Sequence, residues 1–227
     1  MSKHSYEIEI KSLLGDKHNA DRLKEKMREK DSAFLSIGSH KQLNHYFEGG
    51  DLKDLYKNAK DIVKPDEANK LKDLSEKAKD FSVRTRQADD KILLVVKASI
   101  DDTTSSNGIA RLEFEARLDN FRLDELDELV LKSGFSYQAK WSREREEFKF
   151  QGANVSIDKN AGYGYLSEFE MVVEDENKAD DIKLRLRNMM EDLGVKELQQ
   201  DRLARMFDYY NKNWKDYYGT DKIFIVD

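Results

Sequence analysis

Apolar and charged residues alternate one for one in "YEIEIKSLL" at 6–14, where Ile8 and Ile10 separate Glu7, Glu9 and Lys11. A period of two belongs to a β-strand, whose successive side chains point to opposite faces, and it predicts a strand over 4–14. The period then lengthens to that of a helix over 19–30, with Ala20, Leu23 and Met27 on one side. "HKQLNHYFE" at 40–48 reads as a second strand, ended by Gly49 and Gly50. From 51 to 79 the spacing of Leu52, Leu55, Tyr56, Ala59 and Val63 is helical, broken only at Pro65, the single proline. "FSVRTRQADDKILLVVKAS" predicts two strands joined at Ala88 to Asp90, and the polar "DDTTSSNG" at 101–108 predicts a mobile loop. A strand at 109–118, a helix at 122–132 stopped by Gly134, strands at 137–150 and 153–158, and a last strand within 162–174 follow. Beyond 176 the chain reads as helical, with Ile182, Leu186, Met189, Met190 and Leu193 forming an apolar stripe.

Residues at i and i+2 of a strand share a face. Glu7, Glu9 and Lys11 therefore lie together, as do Arg84 and Arg86, Arg111 with Glu113 and Glu115, Arg143 with Arg145, and Glu168 with Glu170. Between them stand Ile8, Ile10, Val83, Leu112, Phe114, Phe169 and Met171. Two arrangements satisfy this pattern. One is an antiparallel sheet with its apolar face covered and its charged face in water. The other is a sheet closed into a barrel, apolar outside beneath helices and charged inside. A charged interior needs acids and bases in comparable number. Glu7, Glu9, Glu113, Glu115, Asp158, Glu168 and Glu170 balance Lys11, Arg84, Arg86, Lys97, Arg111, Arg143 and Arg145. Carboxylates suit Mg²⁺ or Mn²⁺ and guanidinium groups grip phosphate oxygens, so this set matches a metal-bound polyphosphate.

Composition narrows the chemistry further. The 227 residues allow one core, or a core with an appended helical part. A net charge of -6 argues against a nucleic-acid binder. No apolar run approaches the roughly 18 residues of a membrane span, and the start lacks a signal-peptide apolar core, so a soluble, cytoplasmic protein is expected. Without cysteine there is no thiolate nucleophile, disulfide or cysteine-bound zinc. Chemistry here must rest on carboxylates, basic groups and a hard metal.

Glu-x-Glu-x-Lys at 7–11, "QLNHYF" at 42–47, "RTR" at 84–86, the lysine of "VVKAS" at 97, "RLEFE" at 111–115, "SREREEF" at 142–148, "SID" at 156–158 and "EFE" at 168–170 occur in an order that resembles the CYTH domain. That family comprises class IV adenylyl cyclases, thiamine triphosphatases and other triphosphate tunnel metalloenzymes. The resemblance implies an α+β fold, a closed antiparallel eight-stranded β-barrel with helices packed outside. The tunnel domain would span 1–175 with a helical insertion at 51–79, and 176–227 would be a C-terminal helical extension. Lys11, Arg84, Arg86, Lys97, Arg111, Arg143 and Arg145 would hold the triphosphate, with Glu113 and Glu115 lining the same space. Glu7, Glu9, Asp158, Glu168 and Glu170 would be metal ligands for Mg²⁺ or Mn²⁺, and Glu7, Glu9 and Lys11 the catalytic set. The general base stays open among Glu7, Glu9 and a metal-bound hydroxide.

Two activities remain open. A metal-dependent triphosphatase would act on inorganic triphosphate or a small organic triphosphate such as thiamine triphosphate. A class IV adenylyl cyclase would turn ATP into cyclic AMP and pyrophosphate. The partner is thus a small triphosphate, with neither nucleic acid nor membrane, and a homodimer is compatible with the sequence. His40 and His45 fall on opposite faces of their strand, which makes them a poor metal pair and leaves one for the tunnel mouth. The glycines of "GYGY" at 162–165 read as a turn, the aromatics Tyr209, Tyr210, Trp214, Tyr217 and Tyr218 as packing, and the lysines of 53–79 as a solvated helical face.

Overall fold

The computed structural model describes the backbone of residues 6–105, 108–173 and 178–226, and the side chains of 8–99, 114–173 and 178–226. Along these residues run β1 (Tyr6–Gly15), α1 (Lys17–Lys30), β2 (Leu35–Gly49), α2 (Leu52–Ala59), α3 (Pro65–Lys77), β3 (Asp80–Ala88) and β4 (Lys91–Ser105). They continue with β5 (Gly108–Leu118), α4 (Leu123–Lys132), β6 (Phe135–Phe150), β7 (Ala153–Asn160), β8 (Gly164–Val173), α5 (Ala179–Leu193) and α6 (Gln200–Asn213). The strands form one sheet in the order β1-β8-β7-β6-β2-β3-β4-β5. The ladders β1/β8, β7/β8, β6/β7, β2/β3, β3/β4 and β4/β5 are antiparallel. No helix among the described residues is long and apolar enough to cross a membrane.

Two compact units divide the chain: Met1–His40 with Arg143–Asp227, and Lys41–Ser142. In the first, Ile8 and Ile10 of β1, Phe148 and Phe150 of β6, Val155 and Ile157 of β7, and Phe169 and Met171 of β8 pack with α1 and α5. The helices contribute Ala20, Leu23 and Met27, and Leu186, Met189, Met190 and Leu193. Asp16 caps α1, its side chain accepting from the Asn19 N–H at 2.8 Å. Gly164, at φ 70°, starts β8 where any Cβ would collide with the Gly15 carbonyl oxygen. Tyr163, Tyr210 and Phe224 then pack together, with Tyr163 and Phe224 ring centroids 4.9 Å apart, and tie the C-terminal segment to the β7–β8 turn.

The second unit repeats the scheme with other elements. Phe47, Val83, Leu94, Val96, Phe114 and Ala116 cover one sheet face and pack with Leu55 and Ala59 of α2, Leu71 and Leu74 of α3, and Leu126 and Val130 of α4. Pro65 opens α3 at its first turn, where the missing N–H would have had no partner. The helical stretch at 51–79 is therefore two helices.

Two expectations are corrected. Among the described residues β1 pairs only with β8 and β5 only with β4, so the eight strands do not close into the expected barrel. Closure is what the resemblance implies, but the charges meet partners on neighbouring strands without it, as Arg145 does with Asp158 and Glu168. The polar stretch at 101–108 is not a loop as a whole: β4 runs to Ser105 and β5 starts at Gly108, with Thr104 opposite Ile109 and Ser105 opposite Gly108. Backbone pairing with a neighbouring strand overrides the turn-forming composition there.

Candidate functional site

In the first unit the sheet face opposite the apolar core is charged. Glu9 and Lys11 alternate with Ile8 and Ile10 on β1, and register sets Glu9 opposite Glu170 and Lys11 opposite Glu168 on β8. Lys11 Nζ donates to Glu9 Oε1 at 2.6 Å and pairs with Glu168 Oε1 at 3.1 Å. On the other side of Glu168, Arg145 Nη2 donates to Oε2 at 2.6 Å, and Ser156 Oγ lies 3.4 Å from the same oxygen. Arg145 also forks onto its register partner Asp158, Nε to Oδ1 at 2.7 Å and Nη2 to Oδ2 at 2.6 Å. Arg143 reaches Asp158 Oδ2 more loosely, at 3.4 Å. The outcome is a chain of alternating charge, Glu9, Lys11, Glu168, Arg145, Asp158, Arg143, running from β1 to β6.

Electrostatics follow from this chain. Burial alone would push the Glu168 carboxyl up, but the Lys11 ammonium and Arg145 guanidinium outweigh it and bring it down to about 2. Burial would lower Lys11, and Glu168 and Glu9 together raise it instead. Arg145 is likewise raised against burial, by Asp158 first and Glu168 second. All three groups stay charged across the physiological range. Among the described residues Glu170 accepts a longer bond, from Asn154 Nδ2 at 3.3 Å.

On the charged face of the second unit each arginine is held by its register partner on β2. Arg86 Nε donates to Asn44 Oδ1 at 2.9 Å, and Arg84 Nη1 donates to the Tyr46 hydroxyl at 3.1 Å. The Arg84 guanidinium carbon also stands 5.7 Å from the Tyr46 ring centroid. Arg86 Nη1 lies 3.5 Å from Glu115 Oε2 on β5. Lys97 is opposite Ser82 on β3 and Glu113 on β5. The side chains of Glu7, Arg111 and Glu113 lie outside the described residues.

A family model described as the CYTH domain matches residues 5–204. The chain belongs to the CYTH family. No curated protein matches it. Among solved structures it is similar to a protein of Pyrococcus horikoshii at 17% identity and TM-score 0.55, covering 84% of this chain and 92% of that one. A second P. horikoshii protein gives 21% identity and TM-score 0.53, covering 86% and 94%. A Vibrio parahaemolyticus protein described as a candidate adenylate cyclase gives 11% identity and TM-score 0.55, covering 89% and 98%. These likenesses show a shared fold.

Within this CYTH chain the structure gathers Glu9, Lys11, Arg143, Arg145, Asp158, Glu168 and Glu170 on one face of the first unit, and Arg84, Arg86 and Glu115 on one face of the second. Among the described residues no three His, Asp or Glu side chains come together as a metal-binding group. Asp158 gives both oxygens to Arg145, Glu168 faces Lys11 and Arg145, and Glu9 is bonded to Lys11, while Glu9 and Glu170 stand opposite one another across the β1–β8 ladder.

The histidines take other places. His40 Nε2 meets Glu147 Oε2 at 3.0 Å. His45, weighed for a tunnel mouth, is buried against the helices with Nδ1 2.7 Å from Asp127 Oδ2. Its position on β2 shares the parity of Phe47, which puts it on the core side. Sequence reasoning missed Asn44 and Tyr46, which hold the arginines, and Asp127. The signal for Asp127 was there: an acidic residue inside the apolar stripe Leu123, Leu126 and Val130 of a helix.

Proposed function

We propose that the chain is a metal-dependent phosphohydrolase acting on inorganic triphosphate or a small organic triphosphate such as thiamine triphosphate. The observation that carries this reading is the alternating row of Lys11, Glu168, Arg145 and Asp158 with Arg143 at its end, cations fixed in place by carboxylates on one sheet face. Phosphoryl transfer spreads negative charge over oxygens, and cations oriented in advance stabilise that charge without reorganising. Asp158 fixes the Arg145 plane through Nε and Nη2, and Nη1 is bonded to neither carboxylate, which suits it to a phosphate oxygen. Lys11, with Glu9 and Glu7, is the proposed catalytic set. Arg84, Arg86, Lys97 and Arg111 are proposed to grip phosphate oxygens, with Glu113 and Glu115 as counter-charges.

Hard carboxylate donors suit Mg²⁺ or Mn²⁺, and Glu9 with Glu170 would hold it, Glu7 adding a further acid on the same strand face. When bound, the ion supplies positive charge that polarises phosphoryl oxygens and makes water a better nucleophile. The second reading, an adenylyl cyclase, draws support from the fold shared with the Vibrio parahaemolyticus protein described as a candidate adenylate cyclase. Incubation of purified protein with inorganic triphosphate, thiamine triphosphate or ATP, each with Mg²⁺ or Mn²⁺, separates the two. Orthophosphate from either of the first two is expected. Cyclic AMP and pyrophosphate from ATP, with no orthophosphate from the others, would overturn the hydrolase in favour of the cyclase.

A further inference from the structure

Asp127 sits in the middle of the second unit's apolar face, on α4 beside Leu126 and Val130, and is only 3% exposed. An unpaired charge is costly there, and side chains from three strands bond it. Thr85 Oγ1 donates to Oδ1 at 2.5 Å, while His45 Nδ1 and the Tyr137 hydroxyl meet Oδ2 at 2.7 Å each. Lys140 Nζ lies 3.5 Å from Oδ2 and 4.1 Å from the Tyr137 ring centroid. Burial would raise this carboxyl, but the bonds from His45, Thr85 and Tyr137 hold it below the usual carboxylate range. It is therefore a charged acceptor at neutral pH, and His45 Nδ1 is a donor.

The two strand partners of Asp127 are themselves a pair, since His45 and Thr85 stand directly opposite in the β2/β3 ladder. On either side of them the ladder sets Asn44 opposite Arg86 and Tyr46 opposite Arg84. By alternation these four project to the other face, where Asn44 and Tyr46 hold the two guanidinium groups. One slip of register would carry both arginines to the wrong face; the buried Phe47 and Val83 already resist it, and Asp127 bonds His45 and Thr85 on that same face. We propose that Asp127 is a positioning residue: by clasping His45 and Thr85 together from the helix side, it fixes the β2/β3 register and with it the presentation of Arg84 and Arg86. Its effect on substrate rests on the reading of these arginines as phosphate-holding, but the clasp itself can be observed without substrate.

The test removes one donor at constant shape. Thr85→Val deletes the hydroxyl and Thr85→Ser keeps it. For the parent and both variants, the Nε–H resonances of Arg84, Arg86 and Arg145 are recorded by NMR, and tripolyphosphate affinity by calorimetry. In Thr85→Val the Arg84 and Arg86 resonances shift and broaden, Arg145 stays in place as an internal control, and Kd rises roughly three- to ten-fold, the effect of losing about one net hydrogen bond. Thr85→Ser restores parent behaviour. Unmoved Arg84 and Arg86 resonances in Thr85→Val, or equal impairment in Thr85→Ser, would overturn the clasp. Shifted resonances with unchanged Kd would leave the clasp standing and remove the phosphate-holding role of these two arginines.

Discussion

Glu9 and Glu170 face one another directly across the β1–β8 ladder. Like charges in that position repel by roughly 0.2–1 kcal/mol, and among the described residues only Glu9 of the two has a cation at hydrogen-bond distance, Lys11 at 2.6 Å. A divalent ion between them would turn repulsion into attraction. Glu170→Gln is thus expected to raise the melting temperature slightly in metal-free buffer and to abolish the rise that Mn²⁺ gives the parent. Melting curves with and without Mn²⁺ check this; a variant that Mn²⁺ stabilises as strongly as the parent would remove Glu170 from the metal site.

Glu168 makes the stability of the first unit depend on pH in one direction. Its carboxyl falls from an ordinary 4.5 to about 2 in the folded chain. A depressed carboxyl contributes stability that is fully present above the unfolded value and is lost as pH falls toward the folded one. The side chain is 22% exposed, and the contribution at stake is on the order of 2–3 kcal/mol. The parent is expected to lose stability between about pH 5 and pH 2 more steeply than Glu168→Gln. The variant should be the weaker of the two at neutral pH, where Lys11 and Arg145 lose their shared anion. Urea titrations across that range give both slopes, and parallel slopes would count against the pairing.

The fork on Asp158 separates two arginines that look alike in "SREREEF". Asp158 is 2% exposed and takes two short bonds from Arg145 against one of 3.4 Å from Arg143. Removing Arg145 strands a buried carboxylate, so Arg145→Ala should cost about 3–5 kcal/mol. Arg143→Ala should cost about 1 kcal/mol, and Arg145→Lys should fall between them because an ammonium cannot fork. Equal losses for the two alanine variants in chemical denaturation would contradict this geometry.

What the sequence made legible was local. The faces of Glu9 and Lys11, of Arg84 and Arg86, and of Glu168 and Glu170 follow from a period of two, and the structure keeps each pair on its charged face. Which strand meets which is not local. The partnership of Arg145 with Asp158 depends on β6/β7 register, and no pattern within either strand encodes it. The clasp of Asp127 on His45 joins residues 82 apart, so only the misplaced charge in an apolar stripe hinted at it. Closure of the barrel is implied by the family resemblance alone; the period of two fits an open sheet equally well, and lateral pairing there meets the cost of charge.

The helices of 51–79 bear on one more expectation. By sequence, this lysine-rich insertion between two strands is expected to cover one tunnel mouth, so that its replacement changes KM or substrate choice and leaves the fold intact. Leu55, Ala59 and Leu71 are instead fully buried, with Leu52 and Leu74 nearly so, in the same cluster as Leu126 of α4 and Phe114 of β5. Burying a leucine side chain contributes about 1.5–3 kcal/mol, so four of them represent much of a domain's net stability. Replacing 51–79 with a short Gly/Ser connection is therefore expected to loosen the second unit, exposing β3, β4 and β5 amides to exchange while those of β1, β7 and β8 stay protected. Leu55→Ala, which leaves an unfilled cavity, should cost about 2–5 kcal/mol by the same mechanism. Hydrogen exchange followed by mass spectrometry reads both. If the shortened chain keeps parent protection in β3 to β5, these helices are a cover after all, and the buried leucines contribute nothing the sheet needs.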